Sequence, residues 1–339
     1  MSVKMVGMSP GAALVALDWG TTSLRAWLLD AGGAVLDSRR SGSGLLTVTR
    51  EARDAESDVG ATFEAVFVRT CADWVTDRPD LPVLACGMVG SAHGWVDAGY
   101  RDVPTPLETS AADLVRIDHR AGRLHVVPGL RLPSTTEQPG DVIRGEETQV
   151  LGVLDALGDD GEAALTIVLP GTHSKWVDVR ERKVETFTTA MTGELYGLLL
   201  GDSILARTAT APVRDDQAFV SGVAAGSSPG SRGLQVELFG TRALALDGRL
   251  APGSISDYVS GLLLGDEVAH LLPSRGSTTP LLLCGDDDLV RRYGAALAVH
   301  GVEARRLTED VTIRGLWRTA VAAELVDACQ RPDPGTRCP

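Results

Sequence analysis

The sequence is poor in three things, and each absence removes a class of function. Basic residues are the minority: 32 Lys and Arg stand against 45 Asp and Glu, a net charge of −13. A nucleic-acid groove needs clustered cations along the phosphate backbone, so no nucleic-acid partner is expected. A local basic site for one small phosphate remains compatible with this balance. Cysteine is scarce, with Cys71, Cys86, Cys284, Cys329 and Cys338 odd in number and never spaced C-x-x-C. That pattern excludes a disulfide framework and a structural zinc site, and it suits a reducing compartment. Long apolar runs are missing too: "GLLLGDEVAHLL" is interrupted by charge, so no membrane span is expected. The hydrophobic part of "MSVKMVGMSPGAALVALDWG" flows into a first strand and reads as core rather than signal peptide. A cytoplasmic location is the expectation.

What remains is an ordinary globular composition. The 339 residues are 44% hydrophobic and 23% charged, enough for two domains or one large one, with no sign of disorder. Leu14–Asp18, Leu24–Asp30 and Ala34–Arg39 read as three strands joined by short turns. Thr62–Trp74 reads as an amphipathic helix, and "LPVLACGMVG" as a buried strand entering the glycine-rich loop "GSAHGW". Asp141 follows Pro-Gly and is expected to cap a helix through Leu157. Leu165–Leu169, Lys175–Val179 and Val184–Thr188 read as three further strands. Helices are expected near Leu195–Arg207, Leu234–Leu246, Ser256–Leu271, Val290–His300 and Gly315–Asp327, with "TPLLLCG" a buried strand among them. Residues 227–233, "SSPGSRG", read as a loop within a domain.

An internal echo is the most informative feature. "DWGTTSLRAW" and "LPGTHSKWVD" superpose on Gly-Thr-x-Ser, with Gly20 and Gly171, Thr21 and Thr172, and Ser23 and Ser174 each 151 positions apart. Each copy sits in a strand–turn–strand–turn–strand context, so the chain reads as two related halves. A glycine turn exposes backbone N–H groups, and the hydroxyls add donors, which together suit phosphate. Gly20, Thr21, Thr22 and Ser23 from one copy, and Gly171, Thr172, His173 and Ser174 from the other, are therefore candidate phosphate ligands. Asp18 has Leu169 as its counterpart, as expected if one Mg2+ bridging the phosphates is held by a single carboxylate. The plain alternative is a pair of polar hairpin turns.

These motifs, with "GMVGSAHGW", "IRGEETQVLG", "MTGELYGLL" and "SGLLLGDEV", resemble the 2-dehydro-3-deoxygalactonokinase family. That family belongs to the sugar kinase, heat-shock chaperone and actin superfamily of ATPases. The resemblance runs from Leu14 to Asp327 and implies an α/β fold of two ribonuclease-H-like domains around a central cleft. The expected domains are 10–150, with the first phosphate turn and sugar-acid pocket, and 151–330, with the second turn and the adenosine site. The implied reaction is ATP- and Mg2+-dependent phosphorylation of 2-dehydro-3-deoxy-D-galactonate to its 6-phosphate, in D-galactonate catabolism.

Phosphoryl transfer to an alcohol needs a carboxylate to orient the hydroxyl and accept its proton. The resemblance puts this group in "GDVIRGEETQVLG", where Glu146 and Glu147 are the candidates and Glu146 is preferred. Asp141 is a further candidate, read equally as a helix cap, and the Glu pair itself suits a solvated first helical turn. The sugar-contacting loop corresponds to Gly90, Ser91, His93 and Trp95, although a lone His or Trp is as often structural. Arg144 would meet a substrate carboxylate by a bidentate contact or else form a surface salt bridge. Gly285, in "LLLCGDDDLVRRYGAAL", corresponds to the adenosine site. Rival readings are a kinase for another sugar or sugar acid, an actin- or chaperone-like nucleotide switch, and a non-catalytic sensor. The expected partners are ATP and a sugar acid, with a homodimer held open.

Overall fold

The computed structural model describes residues 11–327, apart from 77, 121, 159–162, 229, 276–278 and 308–309. It divides into two compact units, Met1–Gly161 with Asp310–Pro339, and Glu162–Glu309. Each is an α/β unit built on the same sheet plan.

The first unit opens with the antiparallel meander β1 (Ala12–Trp19), β2 (Leu24–Asp30) and β3 (Val35–Ser41), followed by α1 (Leu45–Asp54) and α2 (Val59–Val75). Then come β4 (Val83–Gly87), β5 (Tyr100–Asp102), β6 (Thr105–Pro106), β7 (Val115–His119) and β8 (Gly122–Val126). β9 (Gly129–Leu132), β10 (Asp141–Ile143) and α3 (Glu146–Leu157) complete the run. The main sheet has the order β3-β2-β1-β4-β8-β7, with β4 parallel to both β1 and β8. β10, β9 and β5 form a small separate sheet.

The second unit repeats the plan. β11 (Ala164–Leu169), β12 (Ser174–Arg180) and β13 (Lys183–Ala190) make the meander. The helices α4 (Thr192–Asp202), α5 (Asp216–Gly226), α6 (Leu234–Leu246) and α7 (Ile255–Leu271) follow, then β14 (Leu281–Cys284), α8 (Asp287–Val299) and β15 (Arg305–Leu307). Its strands run β15-β14-β11-β12-β13, with β14 parallel to both β11 and β15. Numbered within each unit, both sheets are 3-2-1-4-5 with strand 2 antiparallel. This is the ribonuclease-H-like plan, present twice, and the duplication read from the two turns extends to the whole sheet.

The last helix, α9 (Val311–Ala322), returns to the first unit. β1 is apolar on both faces because both are covered. Val15, Leu17 and Trp19 pack with Phe63 and Phe67 of α2, whereas Leu14 and Ala16 pack with Leu316, Trp317 and Ala320 of α9. Two glycines seat α9 on α3: a Cβ on Gly152 would lie 1.8 Å from the Val311 carbonyl oxygen, and one on Gly315 1.9 Å from that of Thr148. The unit boundaries therefore differ from the expected 10–150 and 151–330. α3 stays with the first sheet, and α9 closes its second face. In the second unit α5 and α7 pack the same way, with Gly222 and Gly226 against the Tyr258 and Leu262 carbonyls and Gly261 and Gly265 against those of Phe219 and Val223.

The expected meander strands and most helices appear within a few residues of their predicted limits. Asp141 is a correction: it lies in β10, opposite Leu132, and α3 starts five residues later after Gly145 at φ +104°. Among the described residues, no helix is long and apolar enough to cross a membrane.

Candidate active site

In the first unit, the ends of β1 and β4 and the start of α3 meet. The register pairs Asp18 with Cys86 and Trp19 with Gly87. A Cβ on Gly87 would fall 2.8 Å from the Trp19 carbonyl and 3.4 Å from Asp18 Oδ1, and one on Gly145 would fall 3.3 Å from the Gly87 Cα. Side chains are excluded at these two points, which lets the three termini converge.

Asp18 retains 21% of its side-chain exposure. Its Oδ2 accepts from Arg25 Nη2 at 2.5 Å and Nε at 3.0 Å. Arg25 also reaches Asp310 at 3.5 Å and Thr312 at 3.3 Å, both at the start of α9. Burial raises the Asp18 pKa above the usual carboxylate range; Arg25 opposes that shift, and the charges of Asp310 and Glu146 reinforce it. Glu146 thus acts on Asp18 electrostatically. Among the described residues no group of three His, Cys, Asp or Glu side chains could hold a metal.

The two glutamates differ sharply. Glu147 is 4% exposed. Its Oε2 accepts from the Gly145 N–H at 2.6 Å, and Thr148 Oγ1 donates to Oε1 at 3.1 Å. Burial, with the charge of Glu146, pushes its pKa up to about 8. Glu146 is half-buried, and its Oε2 accepts from the Arg144 N–H at 3.0 Å. Both acids thus reach back to amides at the head of α3, as the helix-start alternative anticipates. Glu147 is committed to the interior, and Glu146 keeps a solvent-facing side.

Arg144 is 9% exposed. Its Nη2 donates to the Gly99 carbonyl at 2.9 Å, and its guanidinium lies 4.3 Å from the Tyr100 ring centroid. Nε and Nη1 are buried and have no hydrogen-bond partner among the described residues. A Cβ on Gly90 would come within 3.0 Å of Nη1, so the glycine makes room for the guanidinium. The surface salt bridge weighed for Arg144 is therefore set aside. The rest of that loop departs from expectation. The Ser91 hydroxyl is buried and donates to the Met88 carbonyl at 2.8 Å. Trp95 stacks on Phe63 at 6.2 Å and meets Trp19 edge-on at 6.1 Å, so its ring belongs to the core. His93 is exposed.

The first phosphate turn is open. Thr21 and Thr22 are exposed, Gly20 and Ser23 half-buried, and the Gly20 N–H donates to the Ser23 carbonyl at 2.9 Å. Its outer carbonyls are occupied by α1, whose Leu45 and Leu46 N–H groups donate to Gly20 and Thr21 at 3.0 Å each.

The second turn, in the second unit, is anchored inward. Thr172 and His173 are exposed, and His173 Nε2 lies 2.5 Å from Glu194 Oε2. Ser174, however, is 0% exposed, and its hydroxyl donates to Glu267 at 2.9 Å. It is not offered to phosphate. Lys175 is buried and donates to the His173 carbonyl at 2.8 Å. Beside this turn is a cavity of about 160 Å³, lined among others by Gly171, Thr192, Tyr196, Leu263, Arg292 and Tyr293. Gly285 ends β14 against Pro170, and α8, which follows it, supplies Asp288, Leu289, Arg292 and Tyr293 to that cavity. Two of the three aspartates have structural uses: Asp286 caps α8, and Asp288 pairs with Arg291 and Arg292.

Sequence reasoning missed Arg25, Asp310, Thr192 and Glu267. Arg25 had a readable signal, because a four-residue turn at 20–23 puts it opposite Asp18 in the hairpin register. Thr192 and Glu267 stand inside the family-like motifs "MTGELYGLL" and "SGLLLGDEV" but were given no role, and Asp310 lies far along the chain and had no signal.

The profile of the 2-keto-3-deoxy-galactonokinase family matches residues 18–319. "Probable 2-dehydro-3-deoxygalactonokinase DgoK1" of Rhizobium meliloti is 33% identical over 93% of this chain and 99% of its own length. The 2-dehydro-3-deoxygalactonokinase of Escherichia coli is 31% identical over 92% and 98%. A crystal structure of a protein assigned as a 2-dehydro-3-deoxygalactonokinase, from Sinorhizobium meliloti, superposes with a TM-score of 0.79 at 32% identity, covering 91% of this chain and 98% of that one. The site built from β1, β4 and α3 thus lies in a chain that belongs to the 2-keto-3-deoxy-galactonokinase family.

Proposed function

We propose that the chain transfers the γ-phosphoryl group of ATP to the 6-hydroxyl of 2-dehydro-3-deoxy-D-galactonate, as a cytoplasmic step of D-galactonate catabolism. The observation that carries the acid specificity is Arg144. A guanidinium with two buried, unpartnered nitrogens is costly unless an anion completes it. A carboxylate from the substrate would do so with paired, charge-assisted hydrogen bonds.

Glu146, two residues on, is the group that accepts the proton of the attacking hydroxyl. Its carboxylate is half-buried at the head of α3, whereas Glu147, whose pKa burial pushes up to about 8, is buried and anchors α3. Asp18 would hold Mg2+ with the phosphate oxygens and water. Both Arg25 contacts fall on Oδ2, and Mg2+ commonly takes one or two carboxylates beside its phosphates. When bound, the ion supplies neutralisation of the charge on the transferring phosphoryl group. Gly20, Thr21, Thr22 and Ser23 in one unit, and Gly171, Thr172 and His173 in the other, are the phosphate donors, and the cavity beside α8 takes the adenosine.

ADP release with Mg-ATP against a panel of 2-dehydro-3-deoxy sugar acids, aldonates and neutral sugars tests this reading. Turnover is expected on 2-dehydro-3-deoxygalactonate. Arg144→Met should raise the KM for that acid about a hundredfold, the loss of a charge-assisted pair. Preferential turnover of a neutral sugar would discard the acid specificity and keep the kinase.

A further inference from the structure

One buried carboxylate gathers the second unit's site. Glu267 of α7 is 6% exposed. Its Oε1 accepts from Ser174 Oγ at 2.9 Å and from Trp176 Nε1 at 2.7 Å, and its Oε2 accepts from Thr192 Oγ1. The Tyr293 hydroxyl lies 3.0 Å from both oxygens. Four side chains from β12, α4 and α8 therefore converge on a single group. Ser174 closes the second phosphate turn, and Thr192 and Tyr293 line the 160 Å³ cavity. α7 itself is held rigidly, because Gly261 and Gly265, just before Glu267, bring its backbone against α5.

We infer that Glu267 is the positioning residue of the nucleotide site, fixing the second phosphate turn and two cavity walls relative to one another without touching the ligand. This rests on the reading of the cavity as the adenosine site. The chemistry requires a carboxylate in particular. An ionised carboxylate is an acceptor only, and an indole N–H is a donor only. All four partners can donate at once to the anion. Glutamine would keep the Trp176 and Ser174 bonds on its oxygen, where Tyr293 can also donate, but would present N–H groups to Thr192, whose hydroxyl would have to reverse. Thr192 and Tyr293 thus line the cavity with their hydroxyl protons already committed to Glu267, which suits the apolar face of a base.

The test is ADP binding by titration calorimetry, with thermal melting, on wild type, Glu267→Gln, Thr192→Val and Thr166→Val. Thr166 is buried and donates to Asp178 at 2.7 Å, outside the network, and serves as the control for loss of a buried hydrogen bond. Glu267→Gln and Thr192→Val should each weaken ADP about tenfold, the equivalent of one charge-assisted bond. The double variant should be weakened by less than the product of the two, because both act on one contact. Thr166→Val should lower the melting temperature and leave ADP affinity unchanged. In turnover, the KM for ATP should rise while that for the sugar acid stays put. Glu267→Gln and Thr192→Val binding ADP as wild type does, with only lower melting temperatures, would reduce Glu267 to a scaffold residue and leave the kinase reading intact. Wild-type protein that binds no ADP would remove both.

Discussion

The two Gly-Thr-x-Ser turns share a frame and close differently. In the first, the ladder runs to Trp19 opposite Leu24, and Gly20–Ser23 stand clear as four turn residues. In the second, Pro170 occupies the Trp19 position and can donate no ladder bond, so pairing stops at Leu169 opposite Lys175. Ser174 then pairs with Ala190 instead and is drawn under the sheet to Glu267. With Pro in place of Trp and the ladder shifted by one residue, an open turn bordered by charge in the first unit corresponds to an anchored turn beside a cavity in the second. The shared feature is the helix that leans on each turn. Gly44 precedes α1 and Gly193 begins α4, and a Cβ on either would lie about 2.4 Å from turn backbone. The duplicated scaffold kept its turn–helix contact and divided the chemistry, with acids beside the first turn and an internal anchor behind the second.

That division predicts where rate and where stability should respond. The largest effect falls on the first unit: Glu146→Gln should cut ADP release on the sugar acid about 10²–10⁴-fold with ADP affinity retained. Comparable loss in Glu147→Gln instead would reverse the assignment of the two acids.

Next is the pH dependence of stability. The folded pKa of Glu147 is raised from its ordinary 4.5 to about 8, so the folded state holds its proton more tightly than the unfolded chain. Its contribution is full below about pH 4.5 and is lost as pH rises toward 8. The melting temperature of Glu147→Gln should therefore gain on that of wild type as pH increases from 5 to 8. A difference that does not vary with pH would contradict the burial argument.

Gly44→Ala and Gly193→Ala should both destabilise, by roughly 1–3 kcal/mol, because each forces a helix off its turn. Denaturant unfolding that spares either one would break the structural equivalence of the two turns. The smallest contrast is between the serines. Ser174→Ala removes a buried donor to a carboxylate and should cost about 1–3 kcal/mol, whereas Ser23→Ala should stay within ~0.5 kcal/mol. Equal costs would mean that the second turn is no more anchored than the first.

Much of this scaffold is legible in the residues. The two meanders show as apolar segments around a repeated turn, and the 151-residue offset carries the duplication. Two helices were not read from the sequence. α1 is short, burying Leu45, Val48 and Ala52 on one stripe, and α5 carries Gly222 and Gly226, which lower helix propensity but are required by its contact with α7. The return of α9 to the first sheet was hidden because its partners, Leu14, Ala16 and Leu84, are more than 200 positions away. Of the proposed site, Asp18, Glu146 and Arg144 were put forward from residue type and context. Ser91, Trp95 and Ser174 carry the same types, and only packing shows their polar atoms or rings turned inward. Glu267 lies in the quoted motif "SGLLLGDEV", but its role was hidden for a related reason: that role is set by donors from three other elements, none near it in sequence.

The most direct measurement of the central claim is the stoichiometry of ADP release to phosphorylated sugar acid, with Mg-ATP in excess and 2-dehydro-3-deoxy-D-galactonate present or withheld. The account predicts one ADP per phosphorylated acid and negligible ADP when the acid is withheld. ADP released at the same rate without the acid, or no ADP from folded protein that binds the nucleotide, would contradict it.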